Sequence, residues 1–382
     1  MKRKIAIITG TRADYGIYYS VLKAIENHKR LELNLIVCGM HLCPEFGMTV
    51  NEIEKDGFHI VDRIDTILAS DTGASMAKSI GITLMSLTQS LERVKPDILL
   101  ILGDRGEMMA GALAAIHMNI PVAHIHGGEV TGTVDESIRH AITKLSHIHL
   151  PATEDSKNRI IKMGEREENI YVVGAPGIDY IKNTNYLSRE EVLSRFNLKN
   201  DKIFIMTQHP VTTERELVEW QVRQTLEAII EMKIQTIISY PNSDNGGREI
   251  IKVIEEYRNK YDFIKIFKNL SQVEYLSILN TADAMIGNSS SGIIEAPSFN
   301  LPVINIGTRQ EGRLRAINVI DVGYEKEEIL KGIKKALFDE DFREKLKSCM
   351  NPYGDGNAGE KISEILSRVE INRSLVQKRI TY

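Results

Sequence analysis

Short apolar runs rich in β-branched residues alternate with amphipathic stretches along most of the chain. The first run, KIAIITG at residues 4–10, ends in glycine. Its length and composition predict a strand buried on both faces of a parallel sheet. Residues 15–27 then place Tyr19, Leu22 and Ile25 on one helical face, and LELNLIVCG at 31–39 predicts a second strand. The rhythm continues with a helix across 75–93, a strand at 97–103, a helix across 106–118, a strand at 121–127 and a helix across 135–146. Such alternation predicts a parallel sheet covered by helices on both faces.

The stretch from Tyr171 to Asn185, with Gly174, Pro176, Gly177 and Asn183, reads as a crossover between domains. A second series follows, with strands at 202–208, 234–241, 263–267, 284–288 and 302–307. Helices over 214–231, 247–259, 272–280 and from Ser290 onward separate them. The expected organisation is an α/β protein of two Rossmann-like domains, residues 1–175 and 176–352. A helical tail, 353–382, is expected to pack back on the first domain. Ligands of such sheets sit beyond the carboxyl ends of the strands, so one cleft between the domains, lined by post-strand loops, is expected.

Composition narrows the function classes. The 382 residues are 42% apolar and 26% charged, enough for two full cores. The net charge is 48 − 52 = −4, and the basic runs Lys2-Arg3-Lys4 and Lys334-Lys335 are too short for a nucleic-acid interface. No apolar stretch approaches the roughly 20 residues that span a bilayer, so no membrane partner is expected. The run Ile5 to Ile8 is too short for a signal-peptide core, and Cys38, Cys43 and Cys349 do not make a disulfide framework. A cytoplasmic location is therefore expected. Cys38-x-x-His41-x-Cys43 lacks a fourth ligand, so neither a metal nor a cofactor is expected.

The unusual residues cluster just after strands. Arg12, beside a glycine turn and a helix start, suits an anionic ligand, or forms a surface Arg–Asp pair in a tight turn. Asp104, within Gly103-Asp104-Arg105, either serves substrate or caps the next helix. His124 and His126, at i and i+2, face one side of a strand, and Gly127-Gly128 let backbone approach a ligand. Glu129, Asp135, Glu136, Arg139 and His140 follow, a density that favours proton transfer. Arg139 alternatively pairs with Asp135 at i,i+4 spacing. His209 is held extended before Pro210 and meets either ligand or core. Gly287-Asn288-Ser289-Ser290-Ser291-Gly292 joins a strand to a helix start, offering N–H groups and hydroxyls to a diphosphate, or simple capping. Glu295 is placed to accept from ribose hydroxyls, and Arg309 and Arg313 to neutralise a leaving diphosphate.

Together these segments resemble the hydrolysing UDP-N-acetylglucosamine 2-epimerases. The matching stretches are GTRADYG, GDR, HIHGGEVTGTVDESIRHAITKLSH, QHPVTTE, YPNSDNG, IGNSSSG, INIGTRQEGR and YGDGN, running from residue 10 to residue 357. The block at 124–147 is the most specific. The resemblance implies a two-domain GT-B fold. It also implies conversion of UDP-N-acetylglucosamine and water to UDP and N-acetylmannosamine, feeding sialic acid synthesis. UDP leaves as the C2 proton is removed, giving 2-acetamidoglucal, and water then adds at C1 while C2 is reprotonated on the other face. The C2 proton is poorly acidic, so departure of UDP leads, and cations must seat the diphosphate.

By motif match, Asp104 and Asp135 correspond to acid/base carboxylates and His209 to the histidine near the phosphates. Arg12, Ser289, Ser290, Glu295, Arg309 and Arg313 match nucleotide-binding positions, and Asn242 lies in the YPN segment. Arg105, Glu129, Arg139 and Ser291 complete the expected binding set, and His126 joins the catalytic one. Many members read HIEGGE where this chain reads HIHGGE, while other bacterial members also carry His. The alternatives are the same reaction on UDP-N,N'-diacetylbacillosamine, on the legionaminic acid route, a non-hydrolysing epimerase, a GT-B glycosyltransferase or a nucleotide-sugar sensor. A UDP-sugar is the expected partner, and a homo-oligomer, dimer or tetramer, the expected assembly.

Overall fold

The computed structural model describes residues 2–68, 72–130, 134–241, 246–258, 260–268 and 270–382, with the side chains at 134, 135, 212 and 213 outside that description. The chain divides into two units, Met1–Lys182 with Tyr353–Tyr382, and Asn183–Pro352. Each is built on a six-stranded parallel sheet in the order of a doubly wound fold, and the fold class is GT-B-like with two Rossmann-like units.

The first sheet runs β3-β2-β1-β4-β5-β6, from β1 (Arg3–Thr9), β2 (Leu31–Cys38), β3 (Ile60–Ile64), β4 (Ile98–Leu102), β5 (Val122–Ile125) and β6 (Ile148–Leu150). Ile5 lies opposite Leu33 on one side and Ile98 on the other. Alternate side chains of β1 go to opposite faces. Ile5 and Ile7 meet Tyr18, Leu22 and Ile25 of the helix Arg12–Asn27. Ala6 and Ile8 meet Leu87, Leu91 and Met108 of the helices Gly73–Val94 and Gly106–His117. Gly111 allows this second contact, since a Cβ there would stand 2.4 Å from Ile8 Cδ1.

The second sheet runs β12-β11-β10-β7-β8-β9, from β7 (Ile203–Thr207), β8 (Gln235–Ser239), β9 (Ile264–Phe267), β10 (Ala284–Gly287), β11 (Val303–Ile306) and β12 (Val319–Val322). Winding reverses between β1 and β4 in the first sheet and between β7 and β10 in the second. The loops after those four strands are therefore where each unit opens to a ligand. The Arg12, Asp104, His209 and Ser289 segments lie on these four loops.

Three strands go unannounced in the sequence, and each lies at a sheet edge. IVDRI (β3) and VIDV (β12) carry Arg63 and Asp321 exposed to water, and IHL (β6) has only three residues. Edge strands are often charged or short, so the apolar run that marks a central strand is missing.

The supposed crossover holds a helix, Pro176–Asn183, and the units divide at Asn183 rather than at 176. Asp179 ties this helix to the tail, accepting from the N–H groups of Ala358 and Gly359 at 2.8 and 2.6 Å. The tail helix Ala358–Arg368 lies on Arg12–Asn27, with Gly359 so close that a Cβ would stand 2.7 Å from the Ser20 carbonyl oxygen. Ile362, Leu366 and Leu375 join the first core. Beyond them Lys378 Nζ reaches Glu165 Oε2 at 2.7 Å, and Lys144 Nζ and His149 Nε2 reach the same carboxylate at 2.5 and 3.1 Å. Among the described residues no helix is long and apolar enough to cross a membrane.

Candidate active site

In the first unit the loop after β1 is drawn inward. Thr11 caps the helix Arg12–Asn27 by accepting from Asp14 N at 3.2 Å, and buried Asp14 accepts from Gly10 N at 3.4 Å. Burial raises the Asp14 carboxyl pKa, and Arg105 opposes this with Nε 3.7 Å away. The same Arg105 Nε lies 3.4 Å from Glu107 Oε2. Arg105, expected to bind ligand, thus neutralises two interior carboxylates. Arg12 pairs outward with Glu52 at 3.1 Å and is 74% exposed, so its surface pair is with this distant glutamate rather than with an aspartate of the turn.

Asp104 does not cap the next helix. Arg105 occupies the N-cap position of Gly106–His117, and Asp104 instead receives Arg139 Nη2. Arg139 is nearly buried. It also donates from Nη1 to the His126 carbonyl at 2.8 Å, with Glu129 Oε2 at 3.8 Å. Arg139 thus pairs from its helix to the loop after β4. Asp135 falls in the helix Val134–Leu145, and its side chain lies outside the described residues.

His124 and His126 do not share a strand face. β5 ends at Ile125, and His126 takes a left-handed backbone with φ +61°. His124 is wholly buried, its Nε2 2.7 Å from the Gly103 carbonyl and its Nδ1 3.3 Å from Thr143 Oγ1. Burial lowers its pKa to about 3, which keeps it neutral and structural. His126 sets Nδ1 2.8 Å from Glu129 Oε1, while Nε2 is buried with no hydrogen-bond partner among the described residues. Packing accounts for Gly128, whose φ is +72° and whose Cβ would stand 2.6 Å from the Ser156 carbonyl oxygen.

In the second unit Asn288 is the hub. Its Oδ1 accepts from His209 N at 2.7 Å and its Nδ2 donates to His209 O at 2.9 Å. Its own carbonyl accepts from Gln310 Nε2 at 2.8 Å and Arg309 Nη1 at 3.2 Å. One buried residue thereby ties together the loops after β7, β10 and β11. Ser289 caps the five-residue helix Ser290–Ile294, accepting from Ser291 N at 3.3 Å. Ser291 donates to Glu295 at 2.5 Å, and burial raises the Glu295 carboxyl pKa against that bond. Arg313 stands three residues beyond Gln310 on the same loop, half-buried, and Ser290 is likewise half-buried at the helix start. Asn242 lies outside the described residues.

Two groups here were not among the residues expected at the site. Burial, with Glu295 nearby, pushes the Tyr275 hydroxyl pKa up to about 12, against weaker opposing interactions with Ser291, Thr207 and Ser289. Glu214 accepts from Tyr324 OH at 2.6 Å, Thr308 Oγ1 at 2.7 Å and Gln221 Nε2 at 2.7 Å. Burial raises the Glu214 pKa, but these three donors outweigh it and the net shift is downward. It braces the loop that carries Arg309. Its place within QHPVTTE was the available signal, and Tyr275 had none.

Chemically, the first unit offers a carboxylate paired with arginine and an imidazole beside a glutamate. The second offers hydroxyls, backbone N–H groups, an imidazole and two arginines. The first set suits proton transfer and the second an anion.

Comparison with known proteins points the same way. Residues 23–367 match the model of the family described as UDP-N-acetylglucosamine 2-epimerase. A UDP-N,N'-diacetylbacillosamine 2-epimerase (hydrolyzing) of Legionella pneumophila is 46% identical over 383 residues, covering 100% of each chain. A UDP-N-acetylglucosamine 2-epimerase of Neisseria meningitidis is 36% identical over 380 residues, 99% of this chain and 98% of that one. The crystal structure of a Neisseria meningitidis UDP-GlcNAc 2-epimerase bound to UDP-GlcNAc superposes with TM-score 0.76 at 22% identity, covering 95% of this chain and 99% of that one. The chain therefore belongs to the UDP-N-acetylglucosamine 2-epimerase family of enzymes.

Proposed function

We propose that the chain is a hydrolysing 2-epimerase whose substrate is UDP-N,N'-diacetylbacillosamine. The products are UDP and the free 2,4-diacetamido sugar inverted at C2. The observation that carries this reading is 46% identity over the full length of both chains to a relative of that name. This shifts the substrate from the expected UDP-N-acetylglucosamine, which stays as the second reading on the 36% identical Neisseria relative.

Both readings share one chemistry. The second unit's serine loop, His209, Arg309 and Arg313 bind UDP and stabilise the charge that builds as the C1–O bond breaks. The C2–H electron pair becomes the C1=C2 bond of a glycal, and a base of the first unit takes the proton. Water then adds at C1, and an acid returns a proton to C2 on the opposite face. Asp104, His126 and Asp135 are the groups for these transfers. A homo-oligomeric assembly remains part of the proposal.

The test offers each UDP-sugar in turn, in deuterated, oxygen-18-labelled water. The proposal expects free UDP, deuterium at C2 and label at C1, with kcat/KM at least about tenfold higher for the diacetamido sugar, a difference of about 1.4 kcal/mol. Accumulation of a UDP-linked epimer would sink the hydrolysing reading. A preference for UDP-N-acetylglucosamine would give the substrate to the second.

A further inference from the structure

His126 is over-determined. Its N–H donates to Leu150 O at 3.3 Å, and its carbonyl accepts from Arg139 at 2.8 Å. Its backbone is left-handed at φ +61°, a conformation that costs an L-residue of order 1 kcal/mol and persists only where the surroundings enforce it. Its ring is fixed by Glu129 Oε1, 2.8 Å from Nδ1. All of this restraint delivers one atom, Nε2, into a place where water does not reach it and no described group bonds it. A buried nitrogen left unbonded costs about 1–3 kcal/mol, so the arrangement suits an atom whose partner arrives with the ligand.

A carboxylate accepts hydrogen bonds and donates none, so at Nδ1 it selects the tautomer that carries the proton there. Nε2 is then left with its lone pair. We propose that Glu129 is a positioning residue rather than a ligand-binding one, holding the Nδ1–H of His126 so that Nε2 is the base that takes the C2 proton of the sugar. The inference rests on the 2-epimerase reading above. In the step, the C2–H pair forms the C1=C2 bond and the C1–O pair leaves with the UDP diphosphate. The proton ends on Nε2, and the resulting imidazolium is stabilised by the Glu129 carboxylate beside it. Arg139, bonded to Asp104, stands 3.8 Å from Glu129 Oε2, while Glu129 Oε1 is turned to the ring.

The test compares Glu129→Ala, Glu129→Gln and His126→Gln in the full chain. Nitrogen-15 spectra of histidine-labelled, ligand-free protein, with His126→Gln assigning the signal, read the tautomer directly. The unaltered protein is expected to show Nδ1 protonated and Nε2 bare. Glu129→Ala is expected to move the proton to Nε2 and lower kcat about 100-fold with little change in KM. Glu129→Gln, whose amide oxygen still accepts from Nδ1–H, is expected to keep the tautomer and recover part of the rate. A proton on Nε2 in the unaltered protein, or full turnover in Glu129→Ala, overturns the proposal. If the unaltered protein turns over neither UDP-sugar, the 2-epimerase reading fails, and the spectrum still decides the Glu129–His126 pair.

Discussion

Asn288 holds His209 by both of its backbone polar groups, with the amide oxygen 2.7 Å from its N–H and the amide nitrogen 2.9 Å from its carbonyl. Asn288 is 1% exposed, so this exchange takes the place of water at a strand tip. Asn288→Ala strands both groups and is expected to cost about 2 kcal/mol of stability. It frees the histidine loop, so UDP affinity should fall about tenfold. Calorimetric titration with UDP and thermal unfolding check the two effects, and unchanged UDP affinity would remove Asn288 from its hub role.

Asp104→Asn keeps the shape of the side chain and removes the charge facing Arg139. Turnover is expected to fall about 100-fold while UDP affinity changes little, since the proposed diphosphate contacts belong to the second unit. Arg309→Ala should do the reverse, weakening UDP binding more than it slows the bound substrate. Steady-state rates and UDP titrations of the two variants, measured side by side, separate the roles. The same pattern in both would undo the division of labour.

Gly287 closes β10 with φ +132°, and a Cβ there would stand 2.1 Å from the Thr207 carbonyl oxygen. Neither strand can yield, because Gly287 and Thr207 are paired neighbours in the sheet. Gly287→Ala is expected to lower stability by about 2 kcal/mol or more and to displace the serine loop that follows. Denaturant unfolding measures the first effect. A stability within about 0.5 kcal/mol of the unaltered protein would contradict the geometry.

What the sequence shows of this molecule follows from burial. Central strands such as ILLIL and IFIMT are apolar on both faces and stand out at once, whereas the edges do not, β3 and β12 because they carry exposed charges and β6 because it has three residues. The post-strand motifs fall on the switch-point loops of the two sheets. Their partners were not legible. Arg139 meets Asp104, 35 positions away, and Arg105 turned to Asp14 and Glu107. Local spacing cannot express a contact made by bringing distant parts of the chain together, nor the single left-handed residue that takes His126 off the strand face.

Acid should loosen the first unit well before it reaches the carboxylates. Burial lowers the pKa of His41 and His147 to about 4 and that of His124 to about 3, against 6.5 when unfolded. Below pH 6.5 the unfolded chain binds protons that the folded one refuses, so this stability is present above 6.5 and drains away as pH falls toward 4. Glu165 adds a second loss. Burial raises its pKa, but the hydrogen bonds from His149, Lys144 and Lys378 hold the carboxyl down to about 2, so its contribution disappears between pH 4.5 and 2. The unfolding temperature should fall steadily from pH 7 to pH 4. His124→Gln, which retains a donor toward the Gly103 carbonyl, should flatten that fall while lowering stability at pH 7. An equal slope in the variant would show that His124 does not contribute.

The tail that completes the first core has a consequence for how the chain is made. Ile362, Leu366, Leu375 and Lys378 are synthesised after the whole of the second unit, yet they pack with strands made before it. While the ribosome is still adding residues, Asn183–Pro352 has all of its own sheet and can fold, but the first unit waits with an apolar face uncovered. Translation in this molecule therefore runs against the usual order in which the amino-terminal domain folds first. A chain stalled or clipped near residue 352 would leave a finished second unit tethered to a sticky, unfinished partner, a natural client for chaperones.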